Sequence, residues 1–204
     1  MQRPAEFKAM GLPMQPQSPA AKREAVVDAI SDGRGRVAQQ QLAWGNVDSY
    51  LIARLTAGAA HVTDPSQACA TAYFDYETGG WSHAILEMQR LPESFFPRIV
   101  DTSGVVAETD ASIFGATIPI AAIVGDQQSA AIAQACDNPG QGKVTLGTSG
   151  TCNVNTGSDI LEAPGTYPLV LKRIAGETVY CLEGMVITAG AVFEWLAHGL
   201  GIIN

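Results

Sequence analysis

The stretch "TIPIAAIVGDQQSAAIAQAC", Thr117–Cys136, decides how the chain is read. Thr117 to Gly125 form a short continuous apolar run with β-branched side chains, which predicts a strand buried on both faces. Gly125 ends the run, and Asp126, Gln127 and Gln128 follow at once. From Gln127 to Cys136 the residues Ala130, Ala131, Ile132 and Ala135 recur at helical spacing, so a helix is predicted there. This places Asp126 at the carboxyl end of a strand, where ligands bind in α/β sheets. A helix start also stabilises a nearby negative charge by about 0.3–1 kcal/mol. Asp126 thus has two readings: an N-cap worth about 1 kcal/mol, or a carboxylate that faces a ligand. The two amides beside it suit a substrate rich in hydroxyls.

The rest of the chain narrows the class. With 204 residues there is room for one large domain or two modest ones. A hydrophobic share of 47% with 16% charged residues is the composition of a globular mixed α/β protein. The net charge of −8 repels phosphate backbones and anionic lipid, so neither nucleic acid nor a membrane surface is a predicted partner. The basic cluster "SDGRGR", Ser31–Arg36, is predicted to be a solvated loop. Cys69, Cys136, Cys152 and Cys181 form no CxxC pair and read as reduced core cysteines. His61, His83 and His198 are too scattered for a zinc site. No apolar stretch approaches the roughly 20 residues needed to cross a bilayer, and no signal peptide is visible after Met1. A soluble, cytoplasmic protein is expected.

Upstream of the opening stretch the pattern is mostly helical. The Pro- and Gln-rich start, "MQRPAEFKAMGLPMQPQSPA", predicts loop or extended chain. Ala20–Ile30 predicts a helix with Val26, Val27 and Ile30 on one face. "GNVDSYLIARLTAG" predicts another, capped by Asn46 or Asp48, with Val47, Leu51, Ile52 and Leu55 buried. Asp64 before Pro65 reads as a cap with proline at the first helical position. "YFDYETGGW" predicts a short strand or loop with a turn at Gly79–Gly80, and Trp81–Arg90 a helix. Downstream, "DNPGQG" (Asp137–Gly142) is a loop and the natural domain boundary. "KVTLG" with "TCNVN", and "PLVLKRI" with "TVYCLEG", predict two hairpins. "ITAGAVFEWLAHGL" predicts a helix with Gly190 in its interior.

Two of these segments carry chemistry. The turn "TLGTSGT", Thr145–Thr151, exposes successive backbone N–H groups between two strands, a concavity that binds phosphate oxygens or merely closes a hairpin. Gly147 and Gly150 would permit close approach, and the Thr148 and Ser149 hydroxyls would donate. It is not a Walker A loop, since no GK[ST] follows. Gly190 inside a helix costs up to about 1 kcal/mol relative to alanine, so a close approach by a ligand or another element must compensate.

In order along the chain, "HVTDPSQACATAYFDYETGGW", "IPIAAIVGDQQSAAIAQ", "GKVTLGTSGTCNVNTG" and "CLEGMVITAGAVFEWL" resemble the FGGY carbohydrate kinases, and among them those that phosphorylate glycerol. The resemblance runs from about Gly45 to Ile203. It implies an α/β, actin-like/ribonuclease-H-like ATPase fold, present incompletely. Residues 1–137 would be the late part of the N-terminal, substrate-binding domain, and 138–204 the start of the C-terminal, nucleotide-binding domain. Asp126 would be the catalytic base and a substrate contact, and Gln127 a further substrate contact. Gly147 and Thr148 would form the second phosphate loop. Gly190 and Glu194 would lie against the nucleotide. The reaction implied is ATP-dependent phosphorylation of a small polyol or sugar, with Mg²⁺ bridging the phosphates and no residue of the chain assigned as a metal ligand.

Departures from the pattern bear on the substrate. Thr151 stands where glycerol kinases carry an aromatic residue, "GTSG" is closer to the pentulose kinases, "QACAT" replaces Asn-Ala-Ser-Arg-Thr, and Glu194 replaces a glutamine. Neither the family's Asp-Gly-Thr hairpin nor its polyol-gripping Arg–Glu pair is recognisable here, nor is its downstream adenine site. The chain by itself is therefore expected to be nearly inactive. A pentulose kinase and a catalytically silent binding or regulatory module are the alternatives, and apolar surface at the chain's edges would favour a homo-oligomer.

Overall fold

The computed structural model describes residues 18–203. The predicted opening loop therefore lies outside the described residues as far as Gln17. Two compact units are present: one extends to Val124 and takes in Arg173–Glu177, and the other comprises Gly125–Lys172 and the chain from Thr178 onward. Among the described residues no helix is long and apolar enough to cross a membrane.

The first unit runs α1 (Pro19–Ala29), α2 (Gly33–Ala38), α3 (Val47–Leu55), β1 (Val62–Thr63), α4 (Pro65–Ala68), β2 (Phe74–Asp75), β3 (Gly80–Trp81), α5 (His83–Met88), β4 (Arg98–Ile99), β5 (Ser103–Glu108), α6 (Ala111–Phe114) and β6 (Pro119–Ala122). Its strands associate in twos: β1 with β4 in parallel, β2 with β3 and β5 with β6 antiparallel. Aromatic rings fill its core. The Tyr73–Phe96 and Trp44–Phe96 centroids lie 4.8 and 5.0 Å apart, in edge-to-face geometry. The Arg23 guanidinium lies 4.0 Å over the Trp44 ring, where burial lowers its pKa to about 10. Ile52, Val62, Val100 and Ile123 form a second, smaller cluster.

Asp64 caps α4 as its position before Pro65 predicts. Its Oδ1 accepts from the Gln67 amide at 3.1 Å and from Ser66 Oγ at 2.7 Å, and its Oδ2 from Thr102 Oγ1 at 2.8 Å. Three expectations are corrected. "SDGRGR" is not a loop, because α2 begins at Gly33. Arg34 ties that turn down through Asp28 at 2.6 Å and the Gln89 carbonyl at 2.6 Å. The helix stripes are narrower than their periodicity suggests. Only Val27 of the first set and Ile52 of the second are buried, while Val26 is 55% and Val47 73% exposed. Periodicity says which residues share a face, not whether a neighbour packs on it. Last, β6 pairs with β5 alone among the described residues, and Pro119, Ala121 and Ala122 are exposed rather than buried on both faces.

The second unit comprises α7 (Asp126–Ala133), β7 (Gly142–Leu146), β8 (Gly150–Gly157), β9 (Thr166–Ile174), β10 (Glu177–Val186) and α8 (Gly190–Glu194), which continues as a π turn, Trp195–Gly199. The tip of the β9–β10 hairpin, Arg173–Glu177, groups with the first unit. The strands form one sheet in the order β7-β8-β10-β9, so both predicted hairpins are present. Gly190 is the first residue of α8, not an interior one. β9 and β10 bury Leu169, Val170, Leu171 and Cys181, but beside them the sheet buries a polar row. Lys143, Asn153, Asn155 and Glu183 are buried, whereas Val144 and Leu146 are 62% and 82% exposed. Register explains this pattern: Lys143 faces Asn153, and Asn153 faces Glu183, so one polar row crosses three strands.

Candidate active site

Every residue singled out for chemistry lies in the second unit. Gly125, in extended conformation, is the N-cap of α7, and Asp126 is the first helical residue. The capping reading of Asp126 is thus not the arrangement found. Its Oδ1 accepts only from the adjacent Gln127 amide, at 2.8 Å. The side chain is exposed, and Oδ2 has no partner among the described residues. A carboxylate oriented by one backbone amide, with its second oxygen open, is ready to accept a hydrogen bond or a proton.

The neighbouring Gln127 is held tightly by the sheet. Its Oε1 accepts from Lys143 Nζ at 2.5 Å, from Thr151 Oγ1 at 3.2 Å and from Thr145 Oγ1 at 3.3 Å. Lys143 Nζ also donates to Thr145 Oγ1 at 2.7 Å. Thr145 and Thr151 are cross-strand partners, one pair removed from Leu146 and Gly150, which close the β7–β8 turn. The base of that turn therefore anchors the start of α7. Thr151, the departure from the glycerol-kinase pattern, has a role here as a hydroxyl donor to Gln127.

In the turn itself, Gly147 N–H donates to the Ser149 carbonyl at 2.9 Å. The Thr148 and Ser149 amides and hydroxyls have no partner among the described residues, which leaves four donors on one loop. A Cβ placed on Gly147 would meet nothing nearer than the Ser149 carbonyl oxygen at 3.7 Å. The space beside Gly147 is open. Gly190 is the opposite case. Its amide donates to the Gly147 carbonyl at 2.8 Å, the Ala189 amide donates to the Thr148 carbonyl at 2.9 Å, and a Cβ on Gly190 would lie 2.5 Å from the Gly147 oxygen. The close approach that a glycine at position 190 implied is to this loop. Glu194, one turn along α8, is exposed and faces His198 at 3.1 Å. The structure thus brings Gly147, Thr148 and Gly190 together and ties Gln127 to the loop's base, while Glu194 makes no described contact with the loop.

Sequence reasoning missed Lys143, Thr145, Asn153 and Glu183. The signal was present in "KVTLG", whose alternation puts Lys143 and Thr145 on the same face. Behind Gln127, Asn153 Nδ2 donates to Glu183 Oε2 at 2.6 Å. Burial, reinforced by Glu183, pushes the Cys181 thiol up to about 12, which makes it an unreactive core side chain. Burial likewise raises Tyr167 to about 12, with Glu183 as its hydrogen-bond partner. Among the described residues no three His, Cys, Asp or Glu side chains are grouped so as to hold a metal ion.

Known proteins share this architecture. Residues 2–133 match the model of the N-terminal domain of the FGGY family of carbohydrate kinases. Glycerol kinase of Methylobacterium nodulans is 39% identical over 194 residues, a span covering 95% of this chain and 39% of that protein. Glycerol kinase of Trichlorobacter lovleyi is 38% identical over 98% of this chain and 41% of its own length. Among solved structures, Plasmodium falciparum glycerol kinase with ADP superposes with a TM-score of 0.84 at 26% identity, over 91% of this chain and 38% of that one. A xylulose-type kinase from Brucella ovis does so at 0.81 and 22%, which shows the fold alone. The chain spans about two fifths of the length of the relatives it matches. The fold is the α/β, actin-like ATPase fold of these kinases in part. The chain belongs to the FGGY family of carbohydrate kinases.

Proposed function

We propose that this segment supplies the catalytic base and the second phosphate loop for ATP-dependent phosphorylation of a small polyol, glycerol before others. One observation carries the reading: Gln127, next to the open carboxylate of Asp126, is anchored on Thr145 and Thr151 at the base of a loop with four free donors. The Asp126 carboxylate accepts the proton of a substrate hydroxyl as that oxygen attacks the γ-phosphorus and ADP departs. The Gln127 amide contacts a neighbouring hydroxyl. Gly147 and Thr148 contact the phosphates, and Gly190 fixes their loop from behind. Glu194 lies near the nucleotide on α8. When bound, ATP supplies the phosphoryl group, and its Mg²⁺ neutralises charge on the phosphates. Because the transition state of phosphoryl transfer is loose, orienting the hydroxyl matters more than strong basicity.

In domain terms, residues 1–137 correspond to the late part of the N-terminal, substrate-binding domain and 138–204 to the start of the nucleotide-binding domain. The family-model match over 2–133 ends near this boundary, whereas the compact units part earlier, after Val124. A second reading, a pentulose as acceptor, is favoured by Thr151, whose hydroxyl is engaged with Gln127 and which offers no aromatic wall to glycerol carbons.

A coupled ADP-release assay tests both. The chain itself should turn over negligibly, since it spans only 39% of its relative. A chimera in which it replaces the matching segment of the Methylobacterium enzyme should release ADP with glycerol faster than with xylulose or ribulose. Robust glycerol-dependent release by the chain alone, or a chimera that folds and binds ATP but phosphorylates none of the three, contradicts the reading.

A further inference from the structure

Lys143 is only 3% exposed, and among the described residues it forms no ion pair. Burying an ammonium group is costly, so its placement calls for a physical account. Its described partners are the neutral oxygens of Gln127 and Thr145. The Gln127 carboxamide has an oxygen end and a nitrogen end of nearly equal size, and only the hydrogen-bond network decides which faces the sheet. Thr145 and Thr151 do not decide it, because a hydroxyl rotates to donate or to accept. An ammonium donates only. Turning the amide over would set its NH₂ against the Lys143 NH₃⁺, donor against donor.

We infer that Lys143 is a positioning residue that locks the Gln127 carboxamide in one orientation, carbonyl to the sheet and NH₂ outward. The use of that NH₂ rests on the proposed function. There it offers a fixed donor one residue from the acceptor Asp126, so a hydroxyl that gives its proton to Asp126 has a neighbour whose oxygen receives from Gln127. An unlocked amide presents donor and acceptor alternately and holds such a pair less well. The orientation of Gln127 thus depends on a lysine sixteen residues downstream, on a different element.

The test uses the ¹³C,¹⁵N-labelled 204-residue chain. The side-chain NH₂ resonances of Gln127 are identified by their loss in Gln127→Glu. In the unsubstituted chain they should form one well-dispersed pair. In Lys143→Met, with the backbone spectrum still dispersed, they should broaden, double or collapse toward free-glutamine positions. Thr145→Val and Thr151→Val, which spare the ammonium, should leave the pair in place, and Lys143→Arg should restore it. An unchanged pair in folded Lys143→Met overturns the inference. If Lys143→Met does not fold, the unsubstituted chain decides. A Lys143 NH₃⁺ resonance with a through-hydrogen-bond coupling to the Gln127 carbonyl carbon supports the lock. A resonance without that coupling, or an ammonium exchanging too fast to be seen, overturns it. Glycerol affinity, measured by saturation-transfer NMR in the chimera, should weaken about tenfold in Lys143→Met, the loss of one well-formed hydrogen bond. Glycerol binding that is absent in every chimera variant, with the resonances behaving as stated, removes the proposed function and leaves the lock standing.

Discussion

The Gly190 amide donates to the Gly147 carbonyl at 2.8 Å, and a Cβ on Gly190 would fall 2.5 Å from that same oxygen. One glycine therefore permits the contact that fixes the candidate phosphate loop. Gly190→Ala should force the loop away at a cost of about 1–3 kcal/mol, the usual range for overpacking. Urea unfolding measures the loss, and nucleotide affinity should fall with it. Wild-type stability in the variant would show that the loop is not pinned by this contact.

Gly147→Ala separates folding from binding. The added methyl meets nothing closer than 3.7 Å, so stability should stay within about 0.5 kcal/mol of the parent. A methyl group standing where phosphate oxygens approach should still weaken ATP binding several-fold. A titration with unchanged affinity would show that the open space at Gly147 is not used.

The β9–β10 tip depends on one carboxylate. Asp101 accepts from Arg173 Nε at 2.8 Å and from the Gly176 amide at 3.0 Å. Burial alone would raise its pKa. The Gly176 amide, the Arg173 guanidinium and the Ala175 amide outweigh burial and hold it below the usual carboxylate range. A depressed folded value means that this contribution to stability is present above about pH 4 and lost as pH falls through the folded value. The Gly176 amide resonance should report a midpoint below the ordinary aspartate value. Arg173→Met should cost about 1–2 kcal/mol, toward the low end for charge-assisted hydrogen bonds because both side chains are partly exposed. A midpoint at or above the ordinary aspartate value would contradict the anchor.

Asp64 should behave in the opposite sense. Burial raises its pKa despite the opposing bonds from Ser66, Thr102 and the Gln67 amide. The folded state then holds this proton to higher pH than the unfolded chain does, so its contribution to stability declines as pH rises from about 4 through the folded value. The slope of melting temperature against pH in that window should become more positive in Asp64→Asn, as this declining contribution is removed. An unchanged slope would assign the pH dependence to other groups.

Local grammar made much of this legible. Asp64 before Pro65 marked a cap, the breaks at Gly125 and Asp137–Gly142 marked a helix, and two turn signals marked two hairpins, because each depends on neighbours in sequence. What depends on distant neighbours was not legible. The apolar run 117–125 reads as a central strand, yet only β5 lies beside it among the described residues. Lys143, in the predicted strand "KVTLG", was not singled out, since its partner Gln127 lies on another element. Gly190 was recognised as a close approach, but only the fold shows that the approaching group is the Gly147 carbonyl.

Asp126→Asn in the chimera tests the central claim most directly. Asp126 is exposed and makes one short-range bond, to the Gln127 amide, so the substitution should leave the unfolding curve and ATP affinity unchanged. Glycerol-dependent ADP release should fall by about 10²-fold or more, the lower bound for removing a positioned base. Turnover within a few-fold of the parent, in a variant shown to be folded, would contradict the assignment of Asp126 as the residue that orients and deprotonates the acceptor hydroxyl.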